Sequence, residues 1–135
     1  MPDEILTITM PGLPVSWARA GRGKGFTFTP AKQRGAMADL KVVASSVMRG
    51  RAPLDGALFV RMTFQYPWPK SMSPKKRADP ANRWRASRPD VDNLWKLVGD
   101  GLNGIVWSDD ARIAKGAFCK IYGDTAQTLI EVSPV

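Results

Sequence analysis

Residues 56–66 constrain the fold more than any other stretch. Leu58, Val60, Met62, Phe64 and Tyr66 share one face of an extended chain. Alternate side chains of a strand point to opposite faces, so this strand is apolar on one side and needs a cover there. Two helical patterns supply it. Ala36, Met37, Leu40, Val43, Ala44, Val47 and Met48 recur at helical spacing behind Thr29-Pro30, a capping hydroxyl followed by proline in the first turn, and Gly50 ends the run. Leu94, Leu97, Val98, Gly101 and Leu102 form the apolar stripe of a second helix, from about Val91 to Asn103, which Asn103-Gly104 closes.

Three more strands are predicted. Leu6, Ile8 and Met10 alternate with Thr7 and Thr9 over residues 4–10, and residues 111–122 and 125–132 flank a tight turn at Gly123-Asp124. The order β-α-β-α-β-β predicts an α+β fold, a mixed sheet of about four strands flanked by two helices. A length of 135 residues fits one domain spanning 1–135. Two segments fall outside the regular elements. Residues 11–28 read as a flexible basic loop carrying Arg19, Arg22 and Lys24, with Trp17, Phe26 and Phe28 interspersed. Residues 67–89 are broken by five prolines and carry Lys70, Lys75, Lys76, Arg77, Arg83, Arg85 and Arg88 against one acid, Asp79. Long loops of this kind are functional or disordered.

The charge narrows the partners. Twenty Lys and Arg against 12 Asp and Glu leave a formal +8, which favours a polyanion. No apolar run approaches the ~20 residues of a membrane-spanning helix, and the opening MPDEILTITM is acidic where a signal peptide is basic. The expectation is a soluble, cytoplasmic protein without membrane partners. Histidine is absent and Cys119 is the single cysteine, so histidine triads and most zinc sites are excluded. Cys119 reads as a small apolar strand residue. Hydrolysis by such a chain must rest on carboxylates, Lys, Ser, Thr or Tyr with a hard metal.

Asp90, Asp92, Asp100, Asp109 and Asp110 account for five of the 12 acids and follow directly on the most basic stretch. A basic surface gathers phosphates and bare carboxylates repel them. A bound Mg²⁺ reconciles the two by bridging carboxylate and phosphate oxygens. Asp90 and Asp92 flank Val91 at a helix entry, where both can converge on one ion. Asp109-Asp110 lies in the turn that opens the next strand, and reaches the helix start if that strand packs alongside. Lys96, one turn beyond Asp92, can pair with the acids at rest and meet a phosphate when DNA binds. Plainer readings stand beside these. Asp-x-Asp before a helix is commonly a cap, Asp-Asp in a turn is commonly solvated, and Lys96 has the spacing of a surface ion pair. Trp68 and Trp84 suit base stacking or packing equally, while Trp95 and Trp107 read as core or dimer-contact residues.

The ordered set Asp90-Val-Asp-Asn-Leu-Trp-Lys96, then Trp107-Ser-Asp-Asp110-Ala-Arg-Ile, resembles the RusA family of Holliday junction resolvases. Tyr66-Pro-Trp-Pro-Lys-Ser-Met-Ser-Pro-Lys-Lys-Arg77 looks like that family's phage and prophage members. The resemblance implies Asp90, Asp92 and Asp110 as catalytic metal ligands, Asp109 as a weaker ligand and Lys96 as the essential lysine. It implies Mg²⁺, with Mn²⁺ as substitute, no small-molecule cofactor, and a bacterial or phage-encoded homodimer that nicks four-way DNA junctions symmetrically. From charge alone, Arg19, Arg22, Lys24, Lys70, Lys75, Lys76, Arg77, Arg83, Arg85 and Arg88 are assigned to DNA. The alternative is a non-catalytic protein that grips branched or single-stranded DNA, its acids structural.

Overall fold

The computed structural model describes residues 5–17, 21–23, 26–28 and 31–135. Its strands are β1 (Leu6–Pro11), β2 (Gly21–Gly23), β3 (Phe26–Phe28), β4 (Leu58–Pro67), β5 (Ile113–Gly123) and β6 (Gln127–Pro134). Its helices are α1 (Ala31–Met48), α2 (Pro74–Arg77) and α3 (Val91–Leu102). The α+β class and the β-α-β-α-β-β order of the main elements are as predicted. The main sheet runs β1-β6-β4-β5 and is mixed: β4 pairs with β6 antiparallel and with β5 parallel. Three differences are local. The strand expected from residue 111 begins at Ile113, because Asp110–Arg112 form a 3-10 turn. The loop at 11–28 contains the short antiparallel ribbon β2–β3. The irregular segment at 67–89 contains α2 and a 3-10 turn at Pro80–Arg83. The Thr29-Pro30 start expected for α1 lies outside the described residues.

One face of the sheet carries the core. Leu58, Val60, Met62, Phe64 and Tyr66 are all buried, as their alternation requires, together with Ile8, Ile130 and Val132 of the neighbouring strands. Leu40, Ala44 and Met48 of α1 and the apolar stripe of α3 close over them. The two helices approach closely at Gly101, where an added Cβ would stand 3.1 Å from Leu40 Cδ2. α3 ends at Asn103, and Gly104 takes φ +79°, a conformation closed to most side chains. Its N–H donates to the Trp107 carbonyl at 2.7 Å. Trp107, fully buried, donates Nε1–H to Asn103 Oδ1 at 3.0 Å, so its indole fastens the end of α3. Trp95 stacks on Phe118 of β5 with ring centroids 5.5 Å apart. Both tryptophans pack as the core reading expected. Cys119 is half-buried, its Sγ 3.8 Å from Thr63 Oγ1 on the adjacent strand.

Tyr66 closes the β4 face but leaves its hydroxyl buried without a hydrogen-bond partner among the described residues. Burial pushes its pKa above 10.0, against the opposing charge of Arg85. The unfolded chain's tyrosine ionises first, so the stability that burial protects is complete below pH 10.0 and declines above it. Replacing Tyr66 by Phe removes an unmet buried donor, and we expect a gain of about 1 kcal/mol. Urea melts at neutral pH should show that gain, and the decline in alkali should be shallower in the variant.

Candidate active site

α3 carries the core on one side and chemistry on the other. Asp92, Lys96 and Asp100 recur at one-turn intervals opposite the buried Leu94, Leu97, Val98 and Leu102. Asp90 is the N-cap residue. Its carbonyl accepts from the Leu94 N–H at 3.3 Å, yet its carboxylate makes no capping bond and is exposed. Asp92 is also exposed, and its Oδ1 accepts from the Asn93 N–H at 3.0 Å. Capping, the common use of such a pair, therefore leaves the Asp90 carboxylate uncommitted among the described residues.

Asp109 and Asp110 approach from the far end of the helix. Asp109 caps the 3-10 turn, with Oδ1 accepting from the Ala111 N–H at 2.8 Å. Arg112 bridges to Asp55 at 2.8 Å and donates to Ser108 Oγ at 3.1 Å, which ties the turn to the segment before β4. The turn lays Asp110 on Gly99, its Oδ2 3.6 Å from where a Cβ would be. Asp110 thus meets α3 at its third turn, beside Asp100, rather than at the helix start. Gly99 lies seven residue steps beyond Asp92, ~10 Å along the axis. The acids form two groups, one at the start of α3 and one at its third turn, and among the described residues no three of them stand together as a cation-binding cluster.

The second group crowds negative charge. Burial raises the pKa of the Asp110 carboxyl, and its hydrogen bond to Asp109 and the charges of Asp109 and Asp100 act in the same direction. Asp109 is held low by the Ala111 N–H, then by its bond to Asp110, with Arg112 adding to the effect. A cation relieves such crowding. The donor set suits Mg²⁺ or Mn²⁺ in kind, being carboxylate oxygen without sulfur or imidazole.

Lys96 has a carboxylate one turn away on either side, and such exposed pairs are worth about 0.3–0.5 kcal/mol. It pairs with neither among the described residues. Its Nζ lies 4.7 Å from the centroid of the Trp17 ring, and a cation over an indole gains about 0.5–1 kcal/mol at an exposed site. Trp17 is fixed in turn by its N–H, which donates to the Asn93 carbonyl at 2.8 Å.

The basic segment is tied to the edge of β5. Trp84 bridges to Ile121, and the Arg85 N–H donates to the Lys120 carbonyl at 3.0 Å. Lys120 Nζ donates to the carbonyls of Ser87 at 2.7 Å and Pro89 at 2.8 Å, fixing the backbone just before Asp90. Arg85 lies 4.1 Å over the Tyr66 ring and donates to the Arg88 carbonyl at 2.6 Å. Arg77 donates to the carbonyls of Met72 and Pro69. These two arginines, assigned to DNA by charge, are half-buried and hold the loop together. Lys70, Lys75, Lys76, Arg83 and Arg88 are exposed. Trp68 stacks on Tyr122, whereas Trp84 is 57% exposed with Arg83 above its ring. Arg19 and Lys24 lie outside the described residues, as does the side chain of Arg22. A cavity of about 490 Å³ beside Asp90 is lined by Ser16, Lys32, Tyr66, Arg88 and Pro89 among others.

Trp17, Lys32 and Lys120 carry no site assignment from sequence. Trp17 is visible only as one aromatic in a basic loop, and Lys120 gains its place through strand pairing that local pattern does not encode. Asp100 is legible on the helix face, but its neighbour Asp110 is not.

The two acid groups differ in what they do for stability. Asp90→Asn should cost about 0.5 kcal/mol or less, the loss of a charge near a helix N-terminus. Asp109→Ala removes a made cap and should destabilise the fold more than Asp90→Asn does. Chemical denaturation of both variants checks this, and a larger cost for Asp90→Asn would show that its carboxylate is structural.

Comparison with known proteins bears on the whole assembly. The family model described as endodeoxyribonuclease RusA matches residues 11–133, from the end of β1 into β6. The protein YqaN of Bacillus subtilis (strain 168), described only as uncharacterised, is 27% identical over 140 residues, covering 98% of each chain. The match spans both acid groups, Lys96 and the basic segment between β4 and α3, and the chain belongs to the RusA endodeoxyribonuclease family.

Proposed function

We propose that this protein is a divalent-metal-dependent endonuclease that resolves four-way DNA junctions by paired symmetric nicks, acting as a cytoplasmic homodimer. The observation that carries the reading is the Asp90 carboxylate, uncommitted among the described residues, at the entry of the helix that carries Asp92 and Lys96 and meets Asp110 at Gly99, within a chain of the RusA family. Asp90 with Asp92 at the helix entry, and Asp110 with Asp109 at the margin at the third turn, would supply carboxylate oxygens to Mg²⁺. The ion when bound supplies Lewis acidity toward a phosphate oxygen and toward the attacking water. The protein's own contributions are positional and electrostatic. Lys70, Lys75, Lys76, Arg83 and Arg88 gather the phosphate backbone. The cavity lined by Pro89, just before Asp90, also has Lys32 and Arg88 on its walls, two cations placed to attract a phosphate. Lys96 offers its ammonium to the charge that grows on the phosphate in the transition state. A twofold dimer would present two matched sites to a junction of near-twofold symmetry.

One observation favours the non-catalytic reading, a protein that only grips branched or single-stranded DNA. The acids stand in two groups rather than one cluster. Labelled synthetic junctions with Mg²⁺, run beside duplex, flap and RNA controls, separate the two. The wild type should nick the junction in symmetric pairs. Asp90→Asn and Asp110→Asn should each lose nicking by at least a hundredfold and keep junction affinity. A wild type that binds the junction and cuts none of the substrates removes the nuclease reading.

A further inference from the structure

Lys96 is flanked by Asp92 and Asp100 and avoids both, its ammonium resting on the Trp17 ring at 4.7 Å. The ring is not free to follow it. Trp17 is half-buried against the core, and its backbone N–H is bonded to the carbonyl of Asn93, the residue after Asp92. One helix turn therefore sets the acid Asp92, the anchor of Trp17 and the base of Lys96 relative to one another. We infer that Trp17 is a positioning residue: it holds the Lys96 ammonium away from the two flanking carboxylates, keeping those acids open and the ammonium available to a phosphate. This rests on the proposal that Lys96 acts on the scissile phosphate. Without the ring, an i, i+4 pair with Asp92 or Asp100 is the nearest alternative for Lys96. Such a pair withdraws the ammonium from the phosphate and neutralises a carboxylate, while the basic loop that grips DNA is untouched.

The contact can be read without DNA or metal. Reductive methylation with ¹³C-formaldehyde labels the lysines of the intact protein, and Lys96→Arg identifies the Lys96 signal. An ammonium over an indole face carries its methyl signal upfield of solvent-exposed lysines. Trp17→Leu should return it to the exposed position, and Trp17→Phe should keep most of the shift. On a labelled junction at saturating Mg²⁺, Trp17→Leu should nick about tenfold more slowly than wild type, with the junction Kd changed less than twofold. Trp17→Phe should stay within about threefold of wild type. In a Lys96→Met background, Trp17→Leu should have no further effect. An unshifted Lys96 signal in the wild type overturns the proposal. So does a Trp17→Leu loss of equal size in the Lys96→Met background, or a loss that Phe fails to rescue, because either assigns Trp17 to folding alone. A wild type that never nicks defeats the nuclease reading and, with it, the role at the phosphate. An upfield Lys96 signal would then still establish the contact, so the two failures are distinguishable.

Discussion

β4 and β5 run parallel, with Phe59 opposite Lys115 and Pro67 opposite Gly123. Two parallel neighbours cannot be joined by a hairpin, and the chain between them must travel back along the sheet. The basic segment, Lys96 and both acid groups lie on that return. The basic segment leaves the end of β4, folds along the free edge of β5 and delivers the backbone to Asp90. α3 then crosses the sheet with its apolar stripe down, which turns Asp92, Lys96 and Asp100 outward. The 3-10 turn at Asp110–Arg112 completes the return and opens β5. The parallel pair thus places the basic segment and the acids on consecutive pieces of one crossover.

The packing that supports the crossover is apolar and rigid where position matters. Trp107 fastens the end of α3, the Trp95–Phe118 stack sets the helix against β5, and the close approach at Gly101 sets it against α1. Interiors of this density resist small displacements. A carboxylate on the outer face of α3 inherits that precision from the core beneath it. Asp110 receives it differently, from a short turn tied by Arg112 to Asp55 and Ser108.

Most of this architecture was legible in the sequence, because it depends on local periodicity. Alternation in Leu58–Tyr66 and the 3.6-residue stripe in Leu94–Leu102 each report one buried face, and the sheet and its cover follow. The outward row Asp92, Lys96, Asp100 is readable for the same reason. Long-range pairing was not legible. The position of Asp110 at Gly99, rather than at the helix start, depends on where β5 joins β4. The internal roles of Arg77 and Arg85 depend on rings and carbonyls distant in sequence, and charge counting cannot tell them from Lys70 or Lys75. Trp17 stands among glycines and arginines, with nothing nearby to mark its partner.

A chain with a formal +8 has cations in ample supply to neutralise its acids, and near α3 it holds them elsewhere. Lys120 is bonded to the carbonyls of Ser87 and Pro89, Arg85 to the carbonyl of Arg88 and the ring of Tyr66, and Lys96 rests on Trp17. Each of these partners is neutral. Arg112, which among the described residues does form a carboxylate bridge here, takes Asp55 and not Asp110. A fold selected for stability alone would gain little from such pairs at the surface, so their absence costs almost nothing. What it preserves is a set of carboxylates, Asp90, Asp92 and the Asp109–Asp110 pair, that no neighbouring cation bridges among the described residues, close to a strongly basic segment. Under the proposed function that juxtaposition is what would let a divalent cation and a polyanion meet at one place, and it is set by which neutral groups hold the neighbouring lysines and arginines.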